Sequence, residues 1–292
     1  MSAPLTLLAS LIDYAGLFPP TSLAMEEAVR EHAANLHGPQ AALLSRFILP
    51  VGRLAEFEAE YRKLPAAAQA GWQLSVLAGG APAADLAALQ DFNRRQPRAR
   101  IVALETKAVT PADVAGAVAP FPRELEVWVE IPLQGDTTPF LRAIKSAGCG
   151  AKIRTGGAAT ELFPSAPDVA HFLAACLAAG VAFKATAGLH HPLHSHYQLT
   201  GAPGSPQVSM LGFLNLFLAA VYLHSGGSPI YALALLGDTE PAAFSATPDA
   251  LLWRGHAFPT AQLAAARRDF CRLFGSCSFT EPVDGLRALG WL

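Results

Sequence analysis

Short apolar runs recur along this chain at intervals of roughly 25 to 35 residues, the spacing of units in which a strand is followed by a helix. The runs at 11–15, 46–50, 72–77, 101–105, 127–131, 151–154 and 182–187 are predicted strands. Between them, helical patterns cover 23–36, 54–64, 82–95, the Ala/Val run opened by Thr110-Pro-Ala-Asp113, and the stretch from Thr138-Pro139 to Ser146 before Gly148. Several have proline just inside the start and glycine just past the end, the asymmetry that helix termini favour. The helix at 165–180 has both ends marked: a Ser165 cap with Asp168 three residues on, and Gly180 at its close.

After the seventh strand the rhythm breaks. Residues 189–258 hold a His-rich turn, a strongly apolar helical stretch at 208–223, and Pro- and Gly-punctuated sequence around Gly237-Asp238 and Trp253-Arg-Gly-His256. A helix at 259–273 then leads to Phe274-Gly-Ser-Cys-Ser-Phe279, the eighth strand. Eight strands alternating with helices predict an α/β fold, a single (β/α)8 TIM barrel over 1–292, with 189–258 inserted between strands seven and eight over the barrel mouth. A doubly wound sheet is the alternative, weakened because no GxGxxG follows an early strand.

Composition narrows the ligand more than the fold. With 52% hydrophobic and 15% charged residues the chain can bury a large core. A net charge of −2 without a long basic run argues against nucleic acid and against a polybasic membrane patch, leaving a small neutral or anionic ligand as the expected partner. The first twelve residues lack a basic n-region, so no signal peptide is read there. The apolar stretch at 208–223 contains Asn215 and is short for a bilayer. Cysteines 149, 176, 271 and 277 show neither CxxC nor zinc spacing, which implies reduced thiols in a cytoplasm, with Cys277 read as a small core residue. Homo-oligomerisation is left open.

In a barrel the carboxyl ends of the strands converge on one mouth, so polar residues there carry the chemistry. Those ends carry Asp13, Glu105 with Lys107, Glu130, Lys152 with Arg154, Lys184 with Thr186, and Ser276 with Ser278. The chain has five lysines against sixteen arginines, and three of the five (Lys107, Lys152, Lys184) fall at predicted strand ends. A lysine can lose its proton and attack a carbonyl as an amine, whereas an arginine cannot. Period-two alternation sets Lys152 and Lys184 toward one space, where Glu105 and Glu130 would either move protons or pair with them as structural ions.

Lys152-Ile-Arg-Thr-Gly-Gly157, Phe183-Lys-Ala-Thr-Ala-Gly188 and Phe274-Gly-Ser-Cys-Ser278 together resemble the pattern of deoxyribose-phosphate aldolase and related class I aldolase barrels. The resemblance implies Lys152 as the Schiff-base nucleophile, Lys184 as the cation that lowers its pKa, and glycine and serine backbone near strands seven and eight as a phosphate cradle. Arg154 stands where that family has a small hydroxyl residue, and His190-His191-Pro192 replaces its usual turn, which implies a different substrate.

The expectation is therefore a lyase acting on a small carbonyl compound without a cofactor or metal. Lys152 attacks, Lys184 and Arg154 favour its neutral form, and Glu130 or Glu105 moves protons; a Glu130 too close would push the Lys152 pKa the other way. Arg154, Thr155, Thr186, His190, His191, Ser276, Ser278 and Asp13 are the expected substrate contacts. One rival is a divalent-metal lyase or isomerase using Glu105, Glu130 and the histidines at 190, 191, 194 and 196. Another is a non-catalytic barrel that binds an anionic metabolite. The barrel reading requires the functional groups of Lys152, Lys184, Glu105 and Glu130 within about 10 Å of a common point.

Overall fold

In a computed structural model that describes residues 1–200 and 202–292, the apolar runs are the staves of a closed barrel. The first half alternates α1 (Ala3–Leu8), β1 (Ile12–Tyr14), α2 (Met25–Leu36), β2 (Leu44–Pro50), α3 (Leu54–Tyr61) and β3 (Trp72–Leu77). Next come α4 (Pro82–Arg95), β4 (Ala99–Lys107), α5 (Asp113–Val118), β5 (Glu126–Glu130), α6 (Thr138–Ala147) and β6 (Gly150–Arg154). The helix α7 (Ala166–Ala179) then leads into β7 (Phe183–Thr186). Its ends are built as their residues dictate: Ser165 and Asp168 form a reciprocal capping box, and Gly180 closes it in the left-handed conformation.

Beyond β7 a hairpin of β8 (Ser195–Gln198) and β9 (Gln207–Met210) precedes α8 (Phe213–His224) and α9 (Pro229–Leu236). An antiparallel sheet of β10 (Phe244–Ala246), β11 (Ala250–Trp253) and β12 (His256–Pro259) follows, then α10 (Thr260–Asp269), β13 (Cys271–Ser276) and α11 (Thr280–Ala288). The barrel order is β1-β13-β7-β6-β5-β4-β3-β2, and every neighbouring pair is parallel. This is the (β/α)8 architecture, with β13 as the eighth stave.

Helices pack on the outside through large apolar side chains. On one flank Tyr14, Phe47 and Trp72 surround the buried His32, whose ring lies 4.5 Å from that of Trp72, and Phe57 and Tyr61 pack on Trp72 in turn. On the other, Phe183 of β7 meets Phe172 of α7 at 6.0 Å and Phe217 of α8 at 6.2 Å. The helical stretch Thr160–Ala179 is long and apolar enough to cross a membrane by composition, and here Val169, Phe172 and Leu173 are buried in the fold.

Two boundaries and the placement of the insertion differ from the sequence expectation in ways that matter to the site. The helix expected at 208–223 starts at Phe213, because Gln207, Val208, Ser209 and Met210 alternate exposed and buried and pair with β8. The eighth strand, expected at 274–279, runs over Cys271–Ser276, since its pairing with β7 begins at Cys271 opposite Phe183. The insertion at 189–258 also does not act as one cover. Its hairpin lies at the mouth, but α8 is buried on nearly every face against α7, α9, α10 and β13, in the place of a barrel helix. The polar group within α8 is satisfied: Asn215 accepts from the His194 amide at 2.8 Å and donates to the carbonyls of Leu235 at 2.7 Å and Asp238 at 2.8 Å. The β10–β12 sheet sits at the far end of the barrel, against α1, where the Ala3 amide donates to Pro248 at 2.7 Å.

Candidate functional site

At the carboxyl ends of the strands a cavity of about 280 Å³ opens, with Ile48, Leu77, Glu105, Lys152, Arg154 and Gly275 in its wall. Parallel pairing puts Glu130 beside Lys152 and Lys152 beside Lys184, so three inward side chains of β5, β6 and β7 stand in one row. The result is a line of alternating charges. Lys184 Nζ donates to Asp13 Oδ2 at 2.6 Å and to Glu105 Oε1. Lys152 Nζ lies 2.8 Å from Glu105 Oε2 and 2.9 Å from Glu130 Oε2, and Arg154 Nε donates to Glu130 Oε1 at 3.1 Å. Ser75 Oγ donates to Glu105 at 2.7 Å, and the Arg46 amide donates to Asp13 at 2.9 Å. Lys107 reaches Glu130 only at 3.7 Å, from an exposed position. The four groups expected at one mouth are joined there by direct contacts.

Burial makes Asp13, Glu105, Lys152 and Lys184 interdependent, because these four have almost no water to fall back on. Burial pushes the Lys152 ammonium down, but Glu105 and Glu130 outweigh it and hold the pKa above its ordinary value. Burial likewise disfavours the Glu105 and Glu130 carboxylates, yet Lys152 with Lys184, and Lys152 with Arg154, draw them below the ordinary range. Lys184 and Arg154 therefore do not neutralise Lys152 as the sequence suggested. A carboxylate stands between Lys152 and each of those cations. The two lysines are also unequal: Lys152 lines the cavity, whereas Lys184 lies completely buried between Asp13 and Glu105.

The remaining expected contacts divide. Arg154, Thr186 and His190 line the cavity. Thr155 is buried and turned to the backbone, its hydroxyl donating to Ala187 O at 2.5 Å and tying the loop after β6 to the loop after β7. Those loops touch closely: Gly188 has φ +73°, and a Cβ there would stand 2.6 Å from the Thr155 carbonyl oxygen. Asp13 lies beneath the cavity with Lys184. Ser276 and Ser278 are not in its wall. Ser276 Oγ accepts from the Ser278 amide at 3.3 Å and Ser278 Oγ from the Glu281 amide at 3.2 Å, so both serve the turn into α11. Alternation at the end of β13 gives the cavity Gly275 and Cys277 instead.

His191 stacks on Tyr197 at 3.6 Å, outside the cavity wall. His190 Nδ1 engages Glu281 at 2.7 Å, while His194 Nε2 engages Ser209 at 2.7 Å, so the histidines diverge. Glu105 and Glu130 are engaged by lysines, and among the described residues no group of three His, Cys, Asp or Glu is arranged to hold a metal ion. Sequence reasoning missed the loop after β1, from which Phe18, Pro19 and Pro20 close one side of the cavity, although Pro-Pro within a few residues of a strand end marked it as a fixed turn. It also missed Glu281 and set Cys277 aside. Cys277 Sγ lies 4.0 Å from His190 Nε2, across 87 residues of chain, a separation without any local signature. No protein-family model, curated protein or solved structure matches this chain.

Proposed function

We propose that the protein is a carbon–carbon lyase of the class I aldolase type, acting on a small carbonyl compound with an anionic group through an imine at Lys152. The observation that carries this reading is the asymmetry of the lysine pair: Lys152 reaches the cavity, and the fully buried Lys184 shares Glu105 with it. Arg154, in the same wall, is the anchor for the anionic group.

In the free protein Lys152 is held protonated, so substrate must release the proton. An anion that takes Arg154 removes the cation 3.1 Å from Glu130, and Glu130, 2.9 Å from Lys152 Nζ, becomes the base that accepts it. The free amine attacks the carbonyl carbon, and Glu130 returns its proton to the departing water. Glu130 then takes the proton of the β-hydroxyl as the carbon–carbon bond breaks and the protonated imine draws in its electron pair. Protonation of the enamine and hydrolysis of the imine release the second product. Glu105, kept ionised by both lysines, holds the positive charge in place.

The test is borohydride reduction in the presence of a small aldehyde or ketone that carries a carboxylate or phosphate, followed by peptide mapping. The reading expects one adduct at Lys152, ahead of the other four lysines, at a rate that rises with pH because the carboxylates hold the amine protonated. Uniform labelling of all lysines, or ligand binding without any adduct, overturns it; the second outcome describes a barrel that only binds an anionic metabolite.

A further inference from the structure

Cys277, His190 and Glu281 lie in line at the edge of the same cavity. Glu281 Oε2 is 2.7 Å from His190 Nδ1, and His190 Nε2 is 4.0 Å from Cys277 Sγ, with Cys277 and His190 both in the cavity wall. The Thr21 hydroxyl donates to the same sulfur at 3.1 Å. A carboxylate on one ring nitrogen directs the other toward the thiol, the arrangement by which an imidazole activates a sulfur nucleophile. We propose that Cys277 is a second nucleophile in this cavity, forming thioesters with small esters of anionic carboxylic acids and releasing them to water.

The charge balance is consistent with that geometry. Burial pushes His190 down, and Cys277 and Glu281 lift it to about 9, so the ring is an imidazolium near neutrality. Burial pushes the Cys277 thiol up, but His190 and Thr21 bring it below the ordinary value. The other cysteines differ: burial raises Cys149, raises Cys176 further, and lifts Cys271 to about 12.

An acyl compound with a leaving group is the class of substrate that the site can carry through. Thiolate addition to an aldehyde stops at a thiohemiacetal unless an oxidant follows. With an ester, Sγ bonds to the carbonyl carbon, the tetrahedral adduct collapses, the bond to the alcohol oxygen breaks, and His190 Nε2–H protonates that oxygen. His190, now neutral, takes a proton from water; the water oxygen attacks the thioester, the C–S bond breaks, and thiolate and imidazolium are restored. An acid and an alcohol leave, with no change of oxidation state. Arg154, in the same wall, suits an anionic acyl chain.

Two measurements decide. Iodoacetamide should alkylate Cys277 ahead of the other three cysteines, and its rate should fall less than about tenfold from pH 8.5 to 6.5, whereas an ordinary thiol loses about fiftyfold. His190→Gln and Glu281→Gln should each move this profile toward the ordinary one, a change that loss of packing alone would not produce. With p-nitrophenyl acetate, wild type should show a stoichiometric burst of nitrophenolate that Cys277→Ser reduces at least about a hundredfold. An ordinary thiol profile for Cys277, or an undiminished burst in Cys277→Ser, overturns the proposal. Borohydride trapping at Lys152 should persist in Cys277→Ser, which separates this result from the fate of the lyase reading.

Discussion

Replacing Glu105 by glutamine removes the one carboxylate that both buried lysines share. In the line Asp13, Lys184, Glu105, Lys152, Glu130, Arg154 three negative groups balance three positive ones; the variant leaves one positive charge in excess. Asp13, Lys152 and Lys184 are each at most 3% exposed, so water cannot screen the excess. Glutamine fills the same space, but its NH2 turns a donor toward one of two ammonium groups that are themselves donors. Breaking a buried pair by removal of one partner costs about 3–5 kcal/mol, a large part of the 5–15 kcal/mol by which a typical domain is stable. Urea denaturation at pH 7 should show that loss. Without the carboxylate, a buried lysine gains by losing its proton, so its folded pKa drops below the unfolded value near 10.4. The destabilisation is then full below the lowered folded pKa and falls between it and the unfolded pKa, as neutralising the lysine becomes less costly, so the gap from wild type should narrow as pH rises from 7 toward 10. Adding Lys184→Met to the Glu105→Gln protein should cost less than the sum of the two single changes, since both act on one interaction. A loss below about 1 kcal/mol, or strict additivity of the pair, would refute the view that Glu105 holds this cluster together.

Two further changes test the surroundings of the site. His32 is fully buried among aromatic rings with both nitrogens unpartnered, and burial lowers its pKa to about 3. The unfolded chain binds a proton near pH 6.5 that the folded chain refuses, so this contribution is present above 6.5 and declines toward pH 3, by about 1.4 kcal/mol per pH unit. Between pH 6 and 4 wild type should lose about 2–3 kcal/mol more stability than His32→Phe in urea titrations; equal losses would show that the ring is protonated inside the fold. Gly188→Ala sets a Cβ 2.6 Å from the Thr155 carbonyl oxygen in a left-handed conformation, with backbone on the other side of the contact. It should cost about 2–4 kcal/mol in the same assay, and a cost below about 0.5 kcal/mol would mean that the two loops are not held together.

The periodic placement of apolar residues was enough to derive the barrel. Burial on both faces of a parallel strand and on one stripe of a helix depends on neighbours a few residues away, which the chain states directly. The Ser165–Asp168 box and the left-handed Gly180 were legible for the same reason. So was the turning of Lys152 and Lys184 to one side, because the pleat alternates along each strand. The partners of those lysines were not. Asp13 is 171 residues from Lys184, and only closure of the barrel, β1 against β13 and β13 against β7, brings it beneath that ammonium. The sign of the Lys152 shift was likewise a tertiary outcome, since it depends on carboxylates standing between the cations at distances near 3 Å. The same holds for Ser276, Ser278 and Cys277, where the end of β13 decides which of two alternating faces meets the cavity. Local pattern determines which way a side chain points along its own element; register and closure determine what it meets, and for buried charges that meeting sets the chemistry.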